Sequence, residues 1–309
     1  RRRGALATAR RFRPRLETDV RRVRERLSPP AAEPEFHLGR MLRAMLQDEP
    51  ALAAQEAALA IDPDFAPARY ERAVLLARAY RTELERARKA ALARLGARLA
   101  TAKRLGLAGL LGDTPAEPGV DELEREDAAL LAARRHTLAA LRELDGALAR
   151  APAWRDHPSP LLRVGEAQRD CAAGMLAAYG EATDWDAARE RLEGTIARDP
   201  GLEEAHEALA HAATRAKRWE AAVAACTRGI EADRGYLPHW LPRGTARLQL
   251  GNQRDDRGGD GPEAWRAAEA DFAQAIELAP ERADAWLGRA RARANQAMAL
   301  EARGTPADE

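Results

Sequence analysis

Three stretches of this chain follow one pattern, and that pattern excludes most folds. They are WDAARERLEGTIARDP (185–200), WEAAVAACTRGIEADR (219–234) and WRAAEADFAQAIELAP (265–280). Each opens on a tryptophan, Trp185, Trp219 or Trp265, and carries alanine three residues later, at Ala188, Ala222 and Ala268. Four residues on stand Leu192, Cys226 and Phe272, all able to pack. Pro200 and Pro280 close two copies, while Arg234 takes that slot in the middle one. The segment before each stretch repeats too. His206, Trp240 and Trp286 share one slot, followed by Leu209-Ala210, Arg243-Gly244 and Arg289-Ala290. The first two tryptophans are 34 residues apart. Recurrence at that spacing means one supersecondary unit stacked on copies of itself.

The unit reads as a helical hairpin. Aromatics make up 5% and charged residues 32% of the 309, and Ala, Leu, Arg and Glu dominate. These residues lose least on entering a helix. Alternating Val/Ile/Thr runs, the mark of strands, are nearly absent. Small residues at Ala188, Ala222 and Ala268 let paired helices approach, large ones at the tryptophan slots fill the gap between neighbours, and proline blocks continuation of the second helix. One hairpin cannot bury its apolar face alone, so several must stack.

The pattern resembles the tetratricopeptide repeat: W-x2-L-G-x2-Y, then A-x3-F, then P, over about 34 residues. The same frame fits near the start. EFHLGRMLRAML is a first helix with Leu38-Gly39 in the small-residue slot, and ALAAQEAALAIDP is the second, with Ala51, Ala58 and Pro63 in phase. Met175, Leu176 and Tyr179 mark another first helix at 169–181. The resemblance implies an all-α, right-handed solenoid of stacked antiparallel helix pairs. The expected division is an Arg-rich segment at 1–31, a unit at 32–65, an expanded unit at 66–152, a linker at 153–168 and an array over 169–309. The array divides at 169–202, 203–236, 237–282 and 283–309, the third carrying a 12-residue insertion and the last incomplete.

The expanded unit has 89 residues between Pro63 and Pro152, 55 more than one period. The excess is itself helix-like, with a break at GLAGLLGDTPAEPGV. It predicts one greatly elongated antiparallel hairpin. Leu130, Leu131, Leu138, Leu141, Leu144 and Leu148 recur at helical spacing, so they either pack on the first arm or form a dimerising face. In the insertion, GNQRDDRGGDGP (251–262) contains three aspartates and four glycines. A spacer reading is preferred to a calcium loop. The final residues align with this region 46 positions earlier, where MALEARGTPADE keeps Arg-Gly but neither Asp-Asp nor GGDG. The expectation is a lengthened first helix ending near Arg257, with Asp260 capping the next. The alignment also suggests that the array continues past Glu309.

Arrays of the resembled family bind peptides along a concave groove lined by first helices. By phase, the corresponding residues are Phe36, Arg40, Tyr70, Val74, Glu207, His211, Arg215, Leu241, Thr245, Leu248, Leu287, Arg291 and Asn295. The Lys-plus-Asn clamp by which some relatives hold a C-terminal carboxylate is missing.

Net charge is +1, unevenly spread: residues 1–26 hold eleven Arg against Glu17, Asp19 and Glu25. A membrane-flanking stretch, a nucleic-acid patch and a solvated helix are the three readings. With only Phe12 as an aromatic, no nucleic acid is expected. Cys171 and Cys226 form neither a disulfide framework nor a metal spacing. In HEALAH, His206 and His211 are five apart, so the second swings about 140° away from the first, unlike the histidines of a zinc protease helix. No phosphate loop, dinucleotide fingerprint or nucleophile elbow occurs. The expectation is no catalytic, metal or cofactor residue in this chain.

The layout adds a narrower resemblance. An Arg-rich helix, an early Leu-Gly repeat, a greatly lengthened second unit and late R-G-x-A-R repeats resemble the C-terminal region of large bacterial serine/threonine protein kinases. That implies a non-catalytic, partner-binding part of a signalling protein, with a kinase domain and often a membrane span upstream. The alternatives are a substrate-recruiting array of another enzyme and a self-assembly module.

Overall fold

The computed structural model describes residues 31–45, 47–104, 120–180, 183–233, 237–256 and 258–302, together with 14, 15, 17–20 and 22. The described part of the Arg-rich segment, 14–15, 17–20 and 22, is helical. The sequence break at 106–119 in the long hairpin and the tail at 303–309 lie outside the described residues. Among the described residues there is helix and no strand. The expectation of an all-α array of antiparallel helix pairs holds. Contacts divide the chain into an N-terminal unit ending at Gly165 and a C-terminal unit from Glu166.

In the N-terminal unit, α1 (Glu33–Ala44) pairs with α2 (Asp48–Ile61). The close approach is made at Gly39, where a Cβ would lie 2.2 Å from Gln55 Nε2 and 3.1 Å from the Ala51 carbonyl oxygen. Gln55 is fully buried, and its Nε2 donates to the Phe36 carbonyl at 3.2 Å. Next comes α3 (Ala66–Arg104), 39 residues long, which packs against α4 (Val120–Glu126) and α5 (Ala128–Arg150). The elongated hairpin is therefore present, but its return arm is two helices. Asp127 divides them. Its carboxylate accepts from Ala129 N at 3.0 Å and Leu130 N at 3.1 Å, an N-cap that starts α5 afresh.

Leu130, Leu138, Leu141, Leu144 and Leu148 are buried, and Leu131 is half-buried. The return arm thus spends its apolar stripe on the first arm. Buried Glu124 accepts from Tyr80 Oη and from Arg134 Nη1, both at 2.6 Å. On the exposed side Arg69 and Arg72 both reach Glu143.

Residues 153–165, expected as linker, pack on the N-terminal unit. Trp154 lies edge-on to Phe65, which is edge-on to Phe36, at centroid distances of 5.0 and 5.3 Å. Leu162 joins the same cluster.

The C-terminal unit runs α6 (Glu166–Tyr179), α7 (Trp185–Arg198), α8 (Glu203–Arg215), α9 (Trp219–Ala232), α10 (Leu237–Asp255), α11 (Gly261–Leu278) and α12 (Ala283–Ala302). Consecutive helices pack together, and the first helices α6, α8, α10 and α12 also touch in succession. The turns between pairs are built alike. Phe65, Leu202 and Arg282 N–H groups donate to the carbonyls of Asp62, Asp199 and Ala279, each across a proline. The repeat slot filled by Cys226 and Phe272 is buried. Burial pushes the Cys226 thiol up to about 12, so it serves as packing. Phe272 lies between two glycines: a Cβ on Gly244 of α10 would come within 2.9 Å of its ring, and one on Gly288 of α12 within 2.4 Å. Among the described residues no helix is long and apolar enough to cross a membrane.

Candidate functional site

The thirteen residues expected by phase to line a groove separate into two groups. Phe36, Tyr70, Val74, Glu207, His211 and Leu248 are buried, and their side chains pack rather than face solvent. For five of them the cause is local. Phe36 is covered by Phe65 and Leu162. His211 stacks on Tyr179 of α6 at 4.6 Å and 15°. Leu248 lies with Trp265 and Phe272 of α11. Tyr70 and Val74 belong to the inner face of the long helix α3, which neighbours cover on two sides. The other seven, Arg40, Arg215, Leu241, Thr245, Leu287, Arg291 and Asn295, are half-buried or exposed.

In the N-terminal unit, Arg40 stands alone of its group at the surface. Its guanidinium lies 5.8 Å from the Phe36 ring centroid and 3.6 Å from buried Glu71. The remaining six all sit on first helices of the C-terminal unit. Arg215 Nη1 donates to the Gly180 carbonyl at 3.1 Å, tying α8 to the end of α6. Asn295 Nδ2 donates to Asn252 Oδ1 at 2.8 Å, tying α12 to α10. The same Asn252 oxygen accepts from Trp265 Nε1 at 2.9 Å. Leu241 is half-buried between the α10–α11 and α11–α12 cores. These bonds tie the first helices in two pairs, α6 with α8 and α10 with α12, and Thr245 on α10 and Leu287 and Arg291 on α12 belong to the same helices.

A polar seam runs beneath this layer, and the sequence reading missed it. Asp271 of α11 is 1% exposed. Arg243 of α10 reaches it through Nε at 3.1 and 3.0 Å and through Nη2 at 2.7 Å, and Arg247 through Nη1 at 2.9 Å. Arg243 Nη1 also donates to Thr227 Oγ1 on α9 at 3.2 Å, and its guanidinium lies 4.9 Å from the Trp240 centroid. Burial pushes the Asp271 carboxyl up, against the opposing pull of Arg243 and Arg247. The available signal was Asp271 itself, a carboxylate between Ala268 and Phe272 on an otherwise apolar face, facing two arginines four apart.

The histidines are also placed by the repeat. His206 Nε2 donates to the Pro200 carbonyl at 2.9 Å, and Trp286 Nε1, 80 residues later, donates to the Pro280 carbonyl at 2.9 Å. The slot thus takes a ring N–H of suitable reach, which is why His and Trp interchange there. His206 is edge-on to His239 at 6.0 Å, and His211 turns instead to Tyr179. Among the described residues, no three His, Cys, Asp or Glu side chains are arranged to hold a metal.

The aspartate- and glycine-rich stretch is a turn. Gly258 has φ +72°, the Gly259 N–H donates to Arg254 O and the Gly258 N–H to Asp255 O, both at 2.8 Å. That pair of bonds around a left-handed residue is a Schellman stop. Asp260 then caps α11, accepting from Glu263 N at 3.4 Å.

No family model matches the chain, and no curated protein matches it in sequence. Solved structures are similar to it. One is the APC/C hetero-tetramer Cut9–Hcn1, at 15% identity and a TM-score of 0.42, covering 91% of this chain and 46% of the other. The chain therefore spans about half the length of that relative. A second is a tetratricopeptide repeat protein from Parabacteroides merdae, at 14% identity and a TM-score of 0.34, covering 94% and 98%. A third is the TPR2AB domain of yeast Sti1 in its pHSP90 complex, at 16% identity and a TM-score of 0.30, covering 84% and 98%.

Proposed function

We propose that this chain is a non-catalytic scaffold that binds protein or peptide segments along the first helices of its C-terminal unit. One observation carries the reading. The helices α6, α8, α10 and α12 touch in succession, and Arg215, Leu241, Thr245, Leu287, Arg291 and Asn295 lie half-buried or exposed on three of them. A surface assembled helix after helix suits an elongated ligand better than a small molecule. Its mix of arginines with leucines suits a segment carrying both acidic and apolar side chains.

The test uses the purified chain and a Leu241→Glu/Arg291→Glu variant of matched helical content. Each is immobilised, and the captured proteins are identified by mass spectrometry. Binding that is lost in the variant is the expected result. Equal recovery on both would remove the first-helix layer as the binding surface.

The layout resemblance extends the proposal. An Arg-rich segment, a greatly lengthened second unit and late Arg-Gly repeats suggest the partner-binding region of a larger bacterial signalling protein of the kinase type. Reading the gene upstream of Arg1 tests this: a protein kinase domain is expected, and a different catalytic domain would favour a substrate-recruiting array. Dimerisation through the long hairpin is the alternative, and over the described residues the leucine stripe of its return arm is packed on the first arm. None of the exposed large apolar side chains among the described residues lies on α3, α4 or α5.

A further inference from the structure

Connections from a second helix to the next first helix are short. Residues 62–65 join α2 to α3, 199–202 join α7 to α8 and 279–282 join α11 to α12. In each, the N–H of the last residue donates to the carbonyl of the first. The chain leaving α5 begins the same way. The Trp154 N–H donates to the Ala151 carbonyl at 3.3 Å across Pro152, and the Trp154 ring lies edge-on to Phe65. Trp154 thus stands where Phe65, Leu202 and Arg282 stand, directly before a helix. Yet α6 starts at Glu166. Residues 155–165 are surplus to the connection.

The surplus forms a strap that runs back to α1. It closes on itself, with the Val164 N–H donating to the Trp154 carbonyl at 2.9 Å and the Leu162 N–H to the Ser159 carbonyl at 3.1 Å. Leu162 enters a cluster with Phe36, Ala58, Phe65 and Ala68, and Arg40 Nη1 reaches the Leu161 carbonyl oxygen at 3.5 Å. Phe36 and Arg40 lie one helical turn apart, and they are the two α1 residues that the repeat phase directs toward a ligand. The strap therefore meets α1 as a peptide ligand would, with an apolar side chain among apolar ones and a main-chain oxygen on a guanidinium. Its hold is shallow. Leu162 and Val164 are buried, whereas Pro158, Pro160, Leu161 and Arg163 are exposed, Leu161 at 57%. A segment with so few buried side chains can open without melting the helices beneath it.

We infer that residues 158–164 are an internal ligand that keeps the first-helix face of the N-terminal unit closed. Once the strap is released, that face takes an extended segment of a partner with the same chemistry: two adjacent leucines preceded by proline. Tethering gives the strap an effective concentration on the order of millimolar, so a segment arriving in trans competes poorly until then. The inference shares with the proposed function the idea that first helices receive extended segments. It concerns the other unit and other residues, so the two can fail separately.

The test uses a fluorescein-labelled peptide of residues 158–165 as probe, titrated by anisotropy into the whole chain and into a Leu162→Asp chain with the parent's circular dichroism. Saturable binding to the variant is expected, at least about tenfold tighter than to the parent. A probe carrying Leu162→Ser should bind neither. Adding Leu241→Glu and Arg291→Glu to the variant should leave binding of the unaltered probe unchanged. Where Leu162→Asp does not fold, Leu162→Ala replaces it, and failure of both to fold would make the strap a part of the core and overturn the proposal. Absence of saturable binding to the released chain overturns it, as do equal affinities for the two chains and equal binding of the serine probe. Loss of binding with Leu241→Glu and Arg291→Glu would move the site to the C-terminal unit and overturn it too.

Discussion

The hairpins α8–α9 and α10–α11 end their first helices by the same device and differ by twelve residues. In the shorter, the Lys217 N–H donates to Thr214 O and the Arg218 N–H to Ala213 O, with Lys217 at φ +54°. In the longer, Gly258 and Gly259 make the equivalent bonds. The extra residues are mostly helix. Six extend α10 past the equivalent of Arg215, four begin α11 ahead of the equivalent of Trp219, and two enlarge the turn. A structureless insertion would leave backbone groups to water, whereas lengthening both arms pairs them and buries a longer seam. The longer hairpin holds a buried carboxylate, Asp271, gripped by two arginines, while Ala225 occupies the corresponding site in the shorter. The long N-terminal hairpin, with Glu124 held by Tyr80 and Arg134, follows the same rule. We read these pins as register devices.

Removing the pin is the strongest way to break the comparison. Asp271→Ala leaves Arg243 and Arg247 facing a buried void, and is expected to cost about 3–5 kcal/mol in urea unfolding. Adding Arg243→Met and Arg247→Met should restore most of that loss, since an apolar seam needs no counter-charge. A loss below about 1 kcal/mol for Asp271→Ala would mean that the pin is incidental.

The next effect concerns the slot beneath. Ala210 of α8 carries a methyl group where α10 has Gly244, because Cys226 opposite it is smaller than Phe272. Gly244→Ala places a Cβ within 2.9 Å of the Phe272 ring and should cost about 1–3 kcal/mol. Combining it with Phe272→Leu should give a smaller loss than the two single changes added, because the ring it collides with is gone. Strict additivity would show that the glycine is there for another reason.

The turn gives a smaller effect of opposite sign. Lys217 holds a left-handed conformation that costs a side-chain-bearing residue about 1 kcal/mol. Lys217→Gly is therefore expected to raise the thermal midpoint modestly, with part of the gain offset by the freer unfolded chain. Gly258→Lys should do the reverse in the longer hairpin, and two unchanged midpoints would show that neither turn limits stability.

What the sequence made legible follows from which forces are periodic. Trp185, Ala188 and Leu192 repeat because every unit meets its neighbour through the same contacts, so the helix pairs could be read directly. The long hairpin showed as excess length plus a leucine stripe. The split at Asp127 did not, because an acidic residue inside a charged run looks like solvated surface until its carboxylate is seen to cap Ala129 and Leu130. The face of the first helices was legible in phase but not in depth. His211 and Leu248 have the same phase as Arg215 and Thr245, yet Tyr179 stacks on one and Trp265 packs beside the other. Those covering residues come from other helices, and only the packed structure brings them there. The Asp271 seam is likewise a single departure from the repeat, and periodic reading averages such departures away.

The smallest expected effect separates His206 from Trp286 in the slot that donates to a proline carbonyl. Both make the bond, but only His206 titrates. Burial lowers its pKa from the ordinary 6.5, with Arg228 pulling the same way and the Pro200 bond and Glu207 opposing. The neighbouring ring is His239. A folded-state value below the unfolded one means that the unfolded chain binds more protons in the interval between them. Stability then falls as pH drops from about 6.5 towards the folded value, and the contribution is complete above 6.5. His206→Gln keeps an N–H donor without the titration, so its unfolding free energy should fall less steeply between about pH 7.5 and 5.5 than that of the parent chain. His37 in the N-terminal unit is lowered in the same direction by burial and Arg40, so the parent and variant must be compared with each other rather than with a flat line. Equal slopes would show that the buried ring of the shorter hairpin is as indifferent to protons as the exposed indole of α12.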